Sequence, residues 1–150
     1  MIIKRATKDD HLVLTAITKA SKAHWGYSQS QLDGWELDLT ITKEHIQRYS
    51  TYKATINGEL VAFYSYIQKE EKTIYLENMF LHPDYIGKGY GQLLMDDFLE
   101  RIGPEIERIT LDADPNAEGF YAKSGFIVIE KNESSIPGRY LPFMEKRISK

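Results

Sequence analysis

The sequence contains no cysteine, and this absence excludes several kinds of chemistry at the outset. Disulfides, thiolate metal sites and a covalent cysteine intermediate all require a thiol. The four histidines do not have the close spacing of metal ligands, so they indicate no metal site either. Any group transfer by this chain must therefore proceed without a protein thiol.

Long apolar runs and clusters of basic residues are also missing. The longest apolar run, residues 60–67, is too short to cross a bilayer, and the first twelve residues turn charged without an apolar signal core. The formal net charge is -3 and the basic residues are scattered, which argues against a nucleic-acid ligand. We expect a cytoplasmic protein that uses neither nucleic acid nor a membrane.

The residues that are present suffice for one compact core. Hydrophobic residues make up 42% of the 150 positions, and ten of them are tyrosines. Internal repeats, low-complexity tracts and Pro/Ser-rich linkers are lacking. We therefore expect a single domain over residues 1–150, while its oligomeric state, including a homodimer, stays open.

In the first third of the chain, capping residues and apolar residues recur at the spacing typical of helices. Thr7, with Asp10 three residues later, predicts the start of a helix that reaches about residue 23. Capping signals at residues 28–31 and 42–44 predict two more helices. The first helix is expected to turn an apolar stripe toward the core, formed by Leu12, Ala16, Ile17 and Ala20.

The rest of the chain predicts a sheet interrupted by two helices. Residues 52–56 and 59–68 flank Asn57-Gly58, a dipeptide that tolerates the positive φ of a tight hairpin turn. Further strands are predicted at residues 73–81, 107–113, 126–130 and 139–148, with Pro142 placing the last one at an edge or bulge. Helices are predicted at residues 118–124 and after the glycines at 87–91, the latter with an apolar face of Tyr90, Leu93, Leu94, Phe98 and Ile102. The expected fold class is α/β, with a mixed, mostly antiparallel central sheet flanked by helices.

Three glycines at alternate positions, Gly87, Gly89 and Gly91, separate a predicted strand from a predicted helix. Such a turn can aim backbone N–H groups and the positive end of the helix at a pyrophosphate. The spacing fits neither the P-loop, which ends in Gly-Lys-Ser/Thr, nor the dinucleotide fingerprint G-x-G-x-x-G. The alternative is that the glycines only permit a sharp strand-to-helix connection.

Two segments resemble motifs of the GNAT superfamily of N-acyltransferases. Residues 76–94, LENMFLHPDYIGKGYGQLL, resemble its acyl-CoA-binding motif Arg/Gln-x-x-Gly-x-Gly/Ala, with Gly89 and Gly91 at the two small positions. Residues 116–126, NAEGFYAKSGF, are similar to a second motif, in which an Asn precedes a helix that carries a Tyr and runs into Gly-Phe. Two motifs in this order are more specific than either alone. The resemblance implies a GNAT-like fold, acetyl-CoA as acyl donor, and N-acetyltransferase activity.

The resemblance also implies which residues meet the acyl-CoA. One position departs from the family pattern, because Ile86 stands where Arg or Gln is usual. Lys88 either substitutes for the missing polar side chain or lies in solvent. The implied contacts are Met79, Leu81, Ile86, Gly87, Lys88, Gly89, Tyr90, Gly91, Asn116 and Tyr121.

Transfer of an acyl group to an amine needs a base for the amine, a donor to the acyl oxygen, and a proton for the departing thiolate. Strand alternation places Glu77 among apolar neighbours, which would raise the pKa of its carboxyl group toward the range of a general base. It also matches the base of some GNAT members, although others deprotonate the amine through water, and a solvent-facing glutamate is the alternative. The resemblance implies that the backbone N–H of Met79 donates to the acyl oxygen. It also implies that Tyr121 protonates the departing thiolate, and the alternative for Tyr121 is a packing role.

The acceptor side has weaker signals. His24, Trp25 and Tyr27 lie at a helix junction that borders the acceptor cleft in this fold, or they cap the core. Arg139 can hold a carboxylate or lie in solvent. We expect direct transfer in a ternary complex to a primary amine of a small-molecule or amino-acid-like acceptor. A peptide or protein amine, and a non-catalytic acyl-CoA-binding sensor module, are the alternatives.

Overall fold

The computed structural model describes residues 1–134 and 140–148, in which seven strands and five α-helices are found. The strands are β1 (Ile2–Arg5), β2 (Ser50–Ile56), β3 (Glu59–Glu70), β4 (Thr73–Leu81), β5 (Arg108–Asp112), β6 (Ile127–Glu133) and β7 (Tyr140–Arg147). The helices are α1 (His11–His24), α2 (Gln29–Gly34), α3 (Lys43–Arg48), α4 (Tyr90–Arg101) and α5 (Glu118–Lys123). None of the helices in these described ranges is long and apolar enough to span a membrane.

The strands form one sheet in the order β1-β2-β3-β4-β5-β7-β6. The pairs β1–β2, β2–β3, β5–β7 and β6–β7 are antiparallel. Strands β4 and β5 are parallel, with residues 73–75 opposite residues 108–110. The predicted fold class, a mixed and mostly antiparallel sheet with helices, is confirmed.

The chain divides into two compact units. The first comprises Met1–Tyr66 and Asn78–Arg101, and the second comprises Ile67–Glu77 and Ile102–Lys150. The boundaries fall within β3 and β4, so these two strands contribute residues to both units. The expectation of one domain over residues 1–150 stays a prediction.

Helices α1 and α3 supply half of the residues of one buried core cluster in the first unit. That core contains Ala6, Leu14, Ile17, Ile41, Ile46 and Phe63. The predicted apolar stripe of α1 is wrong in part, because Leu12 is 71% exposed while Leu14, Ile17, Thr18 and Ser21 are buried. The inward face includes the polar Thr18 and Ser21, whose hydroxyls donate to the Leu14 and Leu81 carbonyls, so hydrophobic spacing alone misplaced the stripe.

The hairpin between β2 and β3 is confirmed in position and in turn chemistry. Asn57 has φ 52° and Gly58 has φ 81°, the left-handed values that a two-residue hairpin turn requires. The helix after the glycines is also confirmed, although Leu93 on its predicted apolar face is 50% exposed. Its buried residues are Leu94, Met95 and Phe98, and Phe98 meets the Tyr64 ring edge-on at 5.4 Å between centroids.

In the second unit, α5 is anchored near its C-terminus. Lys146 of β7 donates its Nζ to the Ser124 carbonyl over 2.8 Å, which pairs a positive charge with a helix C-terminus. The last strand was predicted at an edge or a bulge. The edge position is wrong, because β7 lies between β5 and β6, whereas its pairing with β6 does shift register between Val128 and Glu130, beside Phe143 and Pro142. Pro142 is tolerated there since the paired register with β5 ends at Phe143, and the Pro142 carbonyl accepts from the Ala113 N–H over 2.9 Å.

Candidate active site

The shape of the turn between β4 and α4 is determined by the backbone conformation of its glycines. Gly87 and Gly89 both have φ 84°, a left-handed value that L side chains rarely adopt. The Leu93 N–H donates to the Gly89 carbonyl over 3.3 Å, so the helical hydrogen bonds begin at Gly89. The N–H groups of residues 90–92 therefore have no acceptor within the helix. These amides and the positive helix end form a place for an anion.

The side chains of this turn offer fewer contacts to an anion than its backbone does. Ile86 is 42% exposed, and its N–H is already used by the Pro83 carbonyl at 3.1 Å. Lys88 is exposed, with its Nζ 5.7 Å from the centroid of the Tyr85 ring. Tyr90 is half-buried and meets Tyr85 edge-on at 6.1 Å. Pyrophosphate binding at this turn would thus rest mainly on N–H groups.

The strand β4 carries two of the predicted catalytic groups. Met79 is half-buried, whereas the side chain of Glu77 is exposed. The expectation of apolar surroundings for Glu77 is therefore wrong, because it lies on the face opposite the buried Ile74 and Leu76. Burial, the hydrogen bond to Asp112 and the charges of Asp112 and Glu77 raise the pKa of Tyr75.

A polar cluster on the other face of β4 was not predicted. The Asn78 side-chain amide lies 2.8 Å from Ser65 Oγ and 3.1 Å from His45 Nε2. Farther along the strand, the Leu81 carbonyl accepts from Ser21 Oγ over 3.1 Å. The available signal was Asn78 itself, a polar residue at an inward position of an apolar strand.

In the second unit, the segment from Asp114 to Phe126 holds the other motif. The Asp114 carboxylate accepts from the backbone N–H of Asn116 over 2.8 Å and from its side-chain amide over 3.0 Å. Tyr121 is 8% exposed and packs edge-on against Phe126, with ring centroids 5.8 Å apart. Burial, together with the negative charge of Asp114, raises the pKa of Tyr121. Gly125 has φ 93°, which closes α5 as predicted.

Three of the predicted acceptor-side residues, His24, Trp25 and Tyr27, lie at the junction of α1 and α2. His24 and Trp25 are exposed and their rings meet edge-on at 5.0 Å. Tyr27 is half-buried and meets Trp35 edge-on at 4.9 Å, a partner that was not predicted. The junction turns at Gly26, which has φ 84°. Arg139 lies outside the described residues.

Comparison with known proteins decides the family. Residues 13–147 match the acetyltransferase (GNAT) domain. The chain belongs to the GNAT acetyltransferase family. The predicted family is thereby confirmed, and the match includes the glycine turn and the segment from Asp114 to Phe126.

Individual relatives agree with this family. The uncharacterized N-acetyltransferase ycf52 of Pyropia yezoensis is 29% identical over 89 residues, which are 59% of this chain and 49% of that protein. The chain thus spans about half the length of that curated relative. A GCN5-related N-acetyltransferase of Rhodopseudomonas palustris is 26% identical with a TM-score of 0.77, over 98% of this chain and 95% of that one.

A structure determined with coenzyme A also shares the fold. The PaiA N-acetyltransferase of Thermoplasma acidophilum, solved in complex with coenzyme A, has a TM-score of 0.74 and 20% identity. The similarity covers 98% of each chain. At this identity the likeness shows the GNAT fold.

Proposed function

We propose that the protein is an acetyl-CoA-dependent N-acetyltransferase that acts on a primary amine of a small-molecule or amino-acid-like acceptor. The observation that carries the proposal is the turn before α4, where Gly87 and Gly89 both hold φ 84°. In a member of the GNAT family, this conformation supports binding of the pyrophosphate of coenzyme A. The N-acetyltransferases among its relatives support the amine acceptor.

Backbone groups hold the donor in this proposal. The N–H groups of residues 87–92 face the pyrophosphate, and Met79 and Leu81 of β4 line the path of the pantetheine arm. Lys88 adds a positive charge near the anion, while Ile86 adds no polar contact. Asn116 is proposed to contact the acyl-CoA with its side-chain amide.

Acetyl-CoA supplies a thioester whose acyl carbon accepts the amine nitrogen as the C–S bond breaks. The backbone N–H of Met79 stabilises the negative charge that develops on the acyl oxygen. Glu77 receives the proton of the amine, and its exposed side chain allows a water molecule to carry that proton. Tyr121 gives its phenolic proton to the departing thiolate.

The motif position of Tyr121, on the helix that follows Asn116, supports its proton-donating role. Burial and the charge of Asp114 raise the pKa of Tyr121, which keeps the hydroxyl protonated at neutral pH but also makes it a weaker acid, so the pKa shift itself does not favour donation. The sequence contains no cysteine, which supports direct transfer without an acyl-cysteine intermediate. His24, Trp25 and Tyr27, with Arg139, are proposed to contact the acceptor.

The test is release of free coenzyme A from acetyl-CoA by the purified protein, with a broad panel of amines, followed by mass spectrometry of the products. A product heavier than one amine by an acetyl group is expected, with equal amounts of free thiol. If no small amine is acetylated, peptides with free amines test the alternative acceptor class. Lack of turnover with every amine would refute the proposed activity.

Binding is measured separately by thermal unfolding. Coenzyme A at 100 times its Kd stabilises the folded protein by about 2.7 kcal/mol. Binding without turnover would favour an acyl-CoA sensor over an enzyme.

A further inference from the structure

A polar cluster on β4 lies beside the residue proposed to hold the acyl oxygen. It joins three elements of the first unit, with His45 from α3, Ser65 from β3 and Asn78 from β4. The Asn78 amide nitrogen donates to Ser65 Oγ over 2.8 Å, and the same nitrogen lies 3.1 Å from His45 Nε2. Ser65 Oγ and His45 Nε2 are themselves 3.3 Å apart.

The hydrogen bonds around His45 favour its neutral form. With the Asn78 amide nitrogen facing it, the His45 Nε2 is assigned as the acceptor, because an amide nitrogen carries only donor hydrogens. Since Ser65 accepts one hydrogen from Asn78, its own hydroxyl hydrogen is available for Nε2. A neutral imidazole protonated at Nδ1 satisfies all three groups. In an imidazolium, the Nε2–H donor would face the donor amide of Asn78.

Burial favours the same state. Ser65 is 0% exposed, and burial lowers the pKa of His45. The His45 ring stacks on Tyr49 at 4.3 Å, which adds an uncharged neighbour. Because Ser65 has no exposed surface, it cannot act as a nucleophile toward an acyl group. The cluster is therefore suited to hold structure, and its neutral state is part of that structure.

Several charged groups around α3 make hydrogen bonds and ion pairs of their own. From β1, the Arg5 guanidinium donates to the Ile46 carbonyl at 3.4 Å and to the Tyr49 carbonyl at 3.2 Å. The 3-10 turn and β2, both packed against α3, contribute the Asp10–Lys53 ion pair at 2.8 Å. The other charged residues of this neighbourhood, on α3 and on the 3-10 turn, are Lys43, Glu44, Arg48, Lys8 and Asp9.

The hydrogen bonds of β4 indicate where its N–H groups point. The His82 N–H donates to the Val61 carbonyl of β3 over 2.8 Å. In an extended strand, the N–H groups of successive residues point to opposite edges, so residues two or four apart share a direction. Asn78 therefore shares the direction of His82, and the N–H of Met79 points away from β3. The Leu81 carbonyl, which shares the edge of Met79, accepts from Ser21.

On the basis of the proposed function, we propose that Asn78, held by Ser65 and by the unprotonated Nε2 of His45, is a positioning residue for the Met79 backbone N–H. The side chain of Asn78 fixes β4 against β3 and α3 immediately before the peptide group that carries this N–H. Loss of the cluster therefore weakens stabilisation of the acyl oxygen in the transition state, while donor binding at the glycine turn persists. Protonation of His45 has the same effect.

The first test follows the Met79 backbone amide and the His45 ring by NMR in the full chain while the pH is varied. The Met79 amide signal is expected to shift with the same midpoint as His45. In His45→Gln, whose Oε1 accepts from the same two donors but does not titrate, this shift should vanish. In Asn78→Asp, a carboxylate replaces the donor amide and should raise the His45 pKa above its wild-type value. A Met79 amide signal that does not shift as His45 titrates would overturn the proposal.

The second test compares steady-state kinetics. Asn78→Ala and Ser65→Ala should lower kcat about tenfold or more, with KM for acetyl-CoA within about twofold of wild type. The acid limb of the kcat profile that follows His45 should be absent in His45→Gln. Thr18→Val is the matched control, because Thr18 also has a buried hydroxyl, 1% exposed, and donates to the Leu14 carbonyl of its own helix.

The outcomes separate this proposal from the proposed function. Wild-type protein without turnover refutes the enzyme, while the NMR titration still decides whether His45 controls the Met79 amide. Active wild-type protein whose Asn78 and Ser65 variants keep their kcat refutes the positioning role alone. If Asn78→Ala fails to fold, Ser65→Ala and His45→Gln decide the question.

Discussion

The glycine turn and the segment from Asp114 to Phe126 are proposed to serve the same donor, yet they are built in opposite ways. In the turn, Gly87 and Gly89 at φ 84° set the direction of N–H groups, while the side chains of Ile86 and Lys88 are exposed. In the segment, the proposed functional group is the side chain of Tyr121, which is 8% exposed. The turn should therefore be sensitive to backbone conformation, and the segment to side-chain chemistry.

Removal of one hydroxyl from the segment is expected to have the largest effect. Tyr121→Phe deletes the proposed proton donor but keeps the ring that packs against Phe126. General acid catalysis contributes about 10²–10⁴-fold, so kcat should fall by that range while coenzyme A binding changes little. Steady-state kinetics and calorimetric titration with coenzyme A measure the two quantities.

Tyr52→Phe is the control, because it removes a hydroxyl from a half-buried tyrosine of β2. Its kcat should stay close to wild type. A Tyr121→Phe enzyme with kcat within a few-fold of wild type would show that the segment contributes packing and no proton. The contrast with the turn would then be lost.

The second largest effect tests the backbone of the turn. Gly89→Ala meets no atom within 4 Å of the added Cβ, so its consequence comes only from the φ of 84°. A left-handed L-residue is unfavourable by about 1–2 kcal/mol. We expect the turn to relax when free and to regain its conformation on binding, which weakens coenzyme A binding by about tenfold.

Gly34→Ala provides the comparison, because Gly34 also has open space around its Cβ and lies in α2. This variant should bind coenzyme A normally. Equal binding by Gly89→Ala and wild type would mean that the φ of residue 89 does not determine the anion site.

A smaller effect is expected on stability. Asp114→Ala removes the carboxylate that accepts the Asn116 N–H, and loss of such a cap lowers the free energy of unfolding by about 1 kcal/mol. Lys88→Ala in the turn removes an exposed side chain and should stay within about 0.5 kcal/mol. Urea unfolding measures both, and an equal loss in the two variants would contradict the contrast between the regions.

The sequence was informative where a conformation depends on the residue itself. Asn57-Gly58 predicted a hairpin because both residues tolerate positive φ, and the structure confirms it with 52° and 81°. The glycine turn was predictable for the same reason. Family motifs added Tyr121 and Met79 as candidates, whose roles stay predictions.

The sequence was misleading where the outcome depends on residues far along the chain. The interior position of β7 arises from pairing with both β5 and β6, which Pro142 alone does not reveal. The inward face of α1 includes the polar Ser21, which bonds to the Leu81 carbonyl 60 residues away. The cluster around Asn78 requires His45, which is 33 residues away, to reach the same strand. Asn78 at an inward strand position was a local signal for a polar cluster, but the residues that would partner it could not be identified from the sequence.

The smallest effect is expected from a substitution that adds a side-chain contact to the turn and so makes it resemble the segment. Ile86→Arg restores the residue type usual in the family at a position that is 42% exposed. An exposed charge pair contributes about 0.2–1 kcal/mol, so coenzyme A binding should tighten only a few-fold. The gain should shrink as salt is raised from 0.1 M to 1 M, because screening acts mainly on exposed charges. Ile86→Met, which changes shape without adding charge, should bind as wild type does. A salt-independent gain, or an equal gain in Ile86→Met, would mean that the apolar side chain of Ile86 obstructs the turn, and the turn would then depend on side chains as the segment does.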